Sequence, residues 1–443
     1  AMIRNTDGRK IYLTQSIARL TDGQNEAYFT RGSSSGDSVS LATARIVEEV
    51  RSAGDAALIG LARRFDGTDL KSIEVPRQAW KDALESLDPD LVAAMRRTIR
   101  NLESVQRAFL PVASETSPEP GIVVGRRPDP LDRVGVYAPG GRAAYPSSVL
   151  MGAVPARVAG VREIVLCSPP GPSGLPSAVV LAAAELSGVD RVFAIGGAGA
   201  IAAMAFGTET VPRVDRIVGP GNAYVAEAKL QVAGVVAIDS PAGPSELLVV
   251  ADSSSSTDVV VREVMAQAEH DPRAVVVVVA IGQDVADDIA ARIVEALPSQ
   301  ERRDIIDESL RTRGAVLCAA SMDQAITFSN EFAPEHLLLA VSSASDLLPR
   351  FRNAGTVFVG ERSSVAFGDY MTGANHVLPT GGLARSYSGL SVLDFIRWTT
   401  YQTIDASAAE RLSGDVAIFA EAEGLPAHSA TARQWSALAE SAS

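Results

Sequence analysis

The chain has 443 residues, 47% hydrophobic and 21% charged, which excludes a disordered or collagen-like polypeptide and leaves room for a sizeable core. With 40 basic against 53 acidic residues the net charge is −13, a field that repels a nucleic-acid backbone. The longest apolar run, Ala274–Gly282, is far too short to span a bilayer, so a membrane role is not expected either.

At about 150 residues per domain, the length suggests three domains or one two-lobed unit. The start, Ala1-Met2-Ile3-Arg4-Asn5, has no apolar signal core, and Ala1 ahead of Met2 reads as a cloning remnant. Residues 1–35 form a polar segment closing in the Ser/Gly cluster Arg31–Ser38, a linker or a helix start. Helical periodicity follows. Leu84, Leu87, Leu91, Met95, Ile99, Leu102, Val105 and Phe109 recur at steps of three and four, one apolar stripe on a long helix or a pair. No strand pattern competes before about Gly121.

From Val134 short β-rich runs alternate with Ala-rich stretches. The runs are Val134–Tyr137, Glu163–Cys167, Arg191–Ile195, Arg216–Val218 and Val235–Ile238. They are continuous rather than alternating, as strands covered on both faces should be, and predict a doubly wound lobe over 134–245. A second set follows: Leu247–Ala251, Val275–Ala280, Ala315–Ala319, Leu337–Val341 and Thr356–Val359. This stretch, 246–388, is expected to pack with the helical part, 36–133, as the other lobe. Arg362–Gly389 reads as a long functional loop region. Residues 389–443 read as a small mixed tail. The fold class is thus α/β, two Rossmann-like, incompletely doubly wound lobes with small N- and C-terminal segments. Cys167 and Cys318 make neither a disulfide framework nor a metal-type spacing, and a reducing, cytoplasmic setting fits them.

The four histidines are His270, His336, His376 and His428. Gln267 and His270 stand three apart on one helix face and suit a shared metal, or His270 is a helix-end histidine served by the dipole. Glu335-His336, after Pro334, pairs an acid and an imidazole for two proton-transfer tasks, or is a surface pair. Asp369 and His376 lie in the loop region, where a carboxylate can reach a cation. His428 alone reads as a surface histidine. Gly197-Ala198-Gly199-Ala200-Ile201-Ala202 fits the loose dinucleotide fingerprint, but the next strand ends in Gly219-Pro220-Gly221 without the expected acid.

Together these blocks resemble the histidinol dehydrogenase family. The matching blocks are Val134–Gly141, Val218–Asn222, Pro241–Glu246, Gln267–His270, Ala333–Leu337, Gly368–Tyr370, Asn375–Gly382 and Glu423–His428, and they stand in the family's order over nearly all of the chain after about residue 36. The resemblance implies a zinc-dependent homodimer with shared active sites that oxidises L-histidinol to L-histidine with two molecules of NAD. Zinc ligands would be Gln267, His270, Asp369 and His428. Glu335 and His336 would be the acid/base residues. Ser245, His376 and Glu423 would touch substrate, and Tyr137 and Asn222 would touch NAD. The tail would be swapped between subunits. Many members carry Gln where this chain has Gly199, a departure in the cofactor pocket. Family relatives that oxidise another amino or sulfonated alcohol are the alternative for the substrate, since a chemistry motif does not name it.

Overall fold

Five consecutive valines, Val275–Val279, need cover on both faces, and the chain supplies it with two layers of helix. The computed structural model describes residues 2–4, 10–31, 36–140, 144–241 and 243–442. Along the chain the strands are β1 (Met2–Arg4), β2 (Lys10–Ser16), β3 (Ser114–Thr116), β4 (Ile122–Pro130), β5 (Arg133–Tyr137), β6 (Glu163–Ser168), β7 (Arg191–Ala194), β8 (Arg216–Val218), β9 (Ala237–Ile238), β10 (Glu246–Ala251), β11 (Val275–Ile281), β12 (Gly314–Ala319), β13 (His336–Ala340), β14 (Thr356–Val359) and β15 (Ile396–Ile404). They divide between two units: residues 1–109 with 131–395, and 110–130 with 396–443.

The first unit holds two sheets. One is seven-stranded, in the order β1-β2-β12-β11-β10-β13-β14, parallel throughout except for β1 against β2. Residues of opposite parity face opposite layers. Leu247, Val249, Val276 and Val278 pack under Val260, Val264, Ile289 and Ile306. Leu248, Val250, Val277 and Val279 pack under Ala325, Phe328 and Phe332 on the other side. Each such buried Val or Leu contributes about 1.5–3 kcal/mol relative to exposure, which fixes the register. The second sheet is five-stranded, all parallel, in the order β7-β6-β5-β8-β9.

Numbered from β5, the small sheet runs 3-2-1-4-5; numbered from β10, the core of the large sheet runs the same way. Both are Rossmann-like halves, the class expected from the alternating pattern. In each, the order reverses between the first and fourth strands, and the crevice outside their carboxyl ends is where open α/β sheets take ligands.

One local expectation is corrected. Strand β2 lies well before Gly121 and pairs with β12 (Thr14 opposite Val316). Ile11, Tyr12 and Leu13 lie in a segment that is polar overall, and pairing with β12 on one side and β1 on the other makes them a strand. The helices Asp37–Leu61, Arg77–Ser86 and Pro89–Phe109 pack on Pro146–Ala159, Ala178–Ser187, Gly197–Phe206 and Ala223–Val232, beside the five-stranded sheet, and the last of them also meets 246–388, where Thr98 and Asn101 donate to the Tyr370 and Met371 carbonyls at 2.8 and 2.7 Å. The reason is apolarity all round. In Gly197–Phe206 every residue from Ala198 to Ala205 is buried, so the helix needs a second covering layer.

The second unit is a sheet of β15-β4-β3 with two helices, Ala406–Ala422 and Pro426–Ala442, packed on each other. Asp405 caps the first, accepting from the Ala408 N–H at 2.8 Å. No described helix is long and apolar enough to cross a membrane.

Candidate active site

Two adjacent strands begin at one edge of the seven-stranded sheet, and their first residues carry the chemistry. Leu247 of β10 stands opposite His336 of β13. The helix Met322–Phe332 ends in Ala333 at φ 49°, a left-handed turn that Pro334 carries into Glu335 and His336. Both side chains are buried, with relative exposures of 5% and 4%. His336 Nδ1 lies 2.9 Å from the Glu246 carbonyl and donates to it. Glu335 Oε2 accepts from the Glu246 N–H at 2.7 Å and sits 3.3 Å from His336 Nδ1. His336 Nε2 is buried without a hydrogen-bond partner, 3.6 Å from Asp369 Oδ1.

Electrostatics poise the cluster. Burial pushes the Glu335 carboxyl upward, and the neighbouring His336 only partly opposes it. Burial alone would lower His336, but the Glu335 and Asp369 carboxylates outweigh it and hold the imidazole well above its ordinary value. Asp369 is lowered: its burial is overcome by His336, with His376 and His270 adding to the effect. His376 is lowered by burial, and its Nδ1 donates to the Asp369 carbonyl at 2.9 Å.

The expected metal ligands reach this cluster in part. Gln267, in the last turn of Thr257–Ala268, is buried with its amide nitrogen unpartnered. His270 is exposed two residues past that helix and close enough for its charge to act on Asp369. Among the described residues no three His, Cys, Asp or Glu side chains form a ready-made metal group. The reason is the donor set: this unit offers one imidazole, one carboxylate and one amide from the expected four. The Gln267 amide oxygen, the His270 imidazole and the Asp369 carboxylate are nevertheless donor types that a zinc ion takes. Glu423, which caps Ala406–Ala422, and His428, in the first turn of Pro426–Ala442, are exposed in the second unit. Ser245, just before β10, is half-buried, and its carbonyl accepts from the Val275 N–H.

The two expected cofactor residues flank the strand-order reversal of the five-stranded sheet. Tyr137 ends β5; its hydroxyl accepts from the Gly197 N–H at 3.0 Å, and burial pushes its pKa up to about 12. Asn222 follows β8 and caps Ala223–Val232, its Oδ1 accepting from the Tyr224 and Val225 N–H groups. Between them Gly219 has φ +121°, and a Cβ there would stand 2.1 Å from the Tyr137 carbonyl oxygen. Only glycine fits. A buried ion pair sets this turn: Asp239 accepts from the Gly219 N–H at 2.8 Å, and Lys229 donates to the Gly219 carbonyl at 3.1 Å and to Asp239. A Cβ on Gly199 would meet Leu61 of the covering helix at 2.8 Å, so a larger residue there needs that side chain to give way. Gly141 and Ala242, in two of the matching blocks, lie outside the described residues.

Sequence reading gave no role to Arg31, Glu246, Lys229 or Asp239. Glu246 carried a signal, a lone charge heading the apolar strand Glu246–Ala251; Arg31, 215 residues away from its partner, carried none.

Comparison with known proteins bears on the class. The model of the histidinol dehydrogenase family matches residues 29–434. A histidinol dehydrogenase of Methanosarcina mazei is 42% identical over 424 residues, 96% of this chain and 98% of that one. One of Methanothermobacter thermautotrophicus is 45% identical over 398 residues, 90% and 93% of the two chains. The crystal structure of histidinol dehydrogenase from Elizabethkingia anophelis aligns with a TM-score of 0.92 at 31% identity, covering 98% of this chain and all of that one. Paired Rossmann-like sheets with a buried carboxylate–imidazole pair and these relatives define an oxidoreductase. Within that class, the chain belongs to the histidinol dehydrogenase family.

Proposed function

We propose that the protein oxidises L-histidinol to L-histidine through histidinal, the closing steps of histidine biosynthesis, with two NAD consumed at one zinc-containing site. The observation that carries this reading is the buried Glu335–His336 pair, its Nε2 left free beside Asp369. Gln267, His270 and Asp369 would hold the zinc, with His428 from the partner subunit's tail. Zinc supplies an anchor for the imidazole and amine of the substrate.

Asp369, once it holds the zinc, would no longer pull a proton onto the imidazole, so that in the first oxidation His336 Nε2 takes the hydroxyl proton as hydride leaves the carbinol carbon for NAD, giving aldehyde and one NADH. Glu335 then removes a proton from water as it adds to the aldehyde, and His336 returns its proton to the aldehyde oxygen, giving the hydrate and restoring the base. His336 takes a proton from the hydrate as the second hydride leaves, giving the carboxylic acid, which ionises, and a second NADH. Ser245, His376 and the partner's Glu423 would orient the substrate. Tyr137 and Asn222, at the open glycine-rich edge of 134–245, would orient NAD.

A swapped-tail homodimer is supported by exposed apolar side chains on the second unit, Ile404, Ile418, Phe419 and Leu425. Both cysteines are free and buried, which supports a cytoplasmic setting. The test is stoichiometry. With L-histidinol as sole substrate, each molecule consumed should yield about two NADH, because alcohol to acid is a four-electron change and NAD accepts two. One NADH with free histidinal accumulating would refute the two-step reading.

A further inference from the structure

Beneath Glu335 and His336 lies an ion pair more deeply buried than either. Arg31, just after the helix Asp22–Phe29, grips Glu246 side-on: Nε to Oε1 at 2.9 Å and Nη2 to Oε2 at 3.0 Å. The two side chains are 3% and 2% exposed. Arg31 also donates to the Phe332 carbonyl at 2.8 Å and lies 3.4 Å above the Phe332 ring. Its remaining nitrogen bonds the Tyr28 carbonyl. Four of the five guanidinium N–H groups are thus engaged, which holds it in one orientation.

Glu246 spends every polar group it has on the site. Its N–H holds the Glu335 carboxylate, and its carbonyl receives His336 Nδ1–H. Its carboxylate accepts from the Glu335 N–H at 3.4 Å and from the Gly381 N–H at 3.0 Å. The carbonyl bond keeps the proton on Nδ1 and aims Nε2 at the site beside Asp369. A structural bond alone does not need a buried charge here. Isolated pairs of this kind are often no more stabilising than apolar replacements, and the best-supported use of one is to specify geometry.

We infer that Arg31 and Glu246 are positioning residues for the oxidation: their ion pair locks the register of β10 against β13 so that Glu335 and His336 meet the substrate in one orientation. The inference rests on the reading of Glu335 and His336 as the acid/base pair. It also gives the N-terminal segment a task in an active site built from residues more than 200 positions away.

The test uses the zinc-loaded enzyme and the variants Arg31→Lys, Arg31→Met, Glu246→Gln and the double variant Arg31→Met/Glu246→Gln. Arg31→Met and Glu246→Gln should each lower kcat about 10- to 100-fold through misplacement of the pair, with KM for L-histidinol and NAD changed less than about threefold. Arg31→Lys, which keeps charge but not the fork, should fall between them and wild type. The double variant should recover part of the loss in Arg31→Met, because no unpaired carboxylate remains buried. With four histidines in the chain, 15N-histidine NMR reads the His336 ring without any turnover: one state with the Nδ1 proton held on the Glu246 carbonyl in wild type, a mixture in the variants. Folded variants with wild-type kcat, or with raised KM at unchanged kcat, would overturn the inference. If Arg31→Met does not fold, Arg31→Lys and Glu246→Gln carry the same comparison. If wild type does not oxidise L-histidinol, the functional reading fails, and unchanged His336 signals in the variants then decide against positioning independently.

Discussion

The two sheets of the first unit share the order 3-2-1-4-5, yet their candidate chemistry sits at opposite edges. In the five-stranded sheet the carboxyl edge is open backbone: Gly219 approaches Tyr137, Gly197 donates to its hydroxyl, and a neutral Asn222 caps the following helix. In the seven-stranded sheet the same edge is closed by the chain's own acids. Asp252, just past β10, accepts from the N–H and hydroxyl of both Ser254 and Ser342, stitching β10 to the end of β13. Glu361 accepts from Ser256 N–H at the start of Thr257–Ala268. A pyrophosphate would meet carboxylates there, where the backbone groups it needs are already engaged. In the proposed reading one strand order would thus serve two uses: a dinucleotide at the carboxyl edge of one sheet, and a metal and acid/base site at the amino edge of the other. Side chains at the strand ends, not the topology, decide between them.

Three variants sharpen this contrast. The largest effect is expected at the amino edge. His336→Asn should lower kcat for L-histidinol about 1,000-fold, within the span that a positioned general base contributes. Steady-state kinetics check it, and a loss under tenfold would return the pair to a structural role. Next comes the metal. Asp369→Ala should weaken zinc about 100-fold or more, as loss of a ligand exceeds the cost of losing a supporting bond, and chelation should stop turnover. Metal analysis showing full occupancy in the variant would mean the ligands lie elsewhere.

The smallest effect belongs to the closed edge. Burial raises the Asp252 carboxyl, but hydrogen bonds from Ser254 and Ser342 outweigh it and leave it below its ordinary value. Asp252→Ala should therefore cost about 1 kcal/mol at pH 7, reduced by solvent screening, with turnover unchanged. A lowered carboxylate stabilises fully above its unfolded pKa of about 3.9 and loses that contribution as pH falls through the folded value. The stability gap to wild type should thus close in acid. A gap constant from pH 7 to pH 3 would mean that packing, not the carboxylate, is responsible.

The β-rich runs of both lobes were legible because each strand is covered on both faces and so reads as unbroken Val, Ile, Leu and Ala. The histidines and their acidic neighbours were legible as chemistry because few residue types can move protons or bind metal. Strand β2 was not, since a short apolar run in a polar segment takes its conformation from the strands it pairs with, β1 and β12. Nor was the covering of the five-stranded sheet by Asp37–Phe109: an amphipathic stripe says that a helix is buried, not on what. Arg31 was invisible for the same reason. Its partner lies 215 residues away, and only the fold brings the two together.

The division of labour between the sheets is tested most directly by NAD affinity, measured by calorimetry on two variants side by side. Gly219→Ala forces a side chain into the Tyr137 carbonyl at a left-handed position, and should bind NAD at least about tenfold more weakly while keeping its zinc. His336→Asn should bind NAD as wild type does. Equal losses in both variants, or none in Gly219→Ala, would contradict the account.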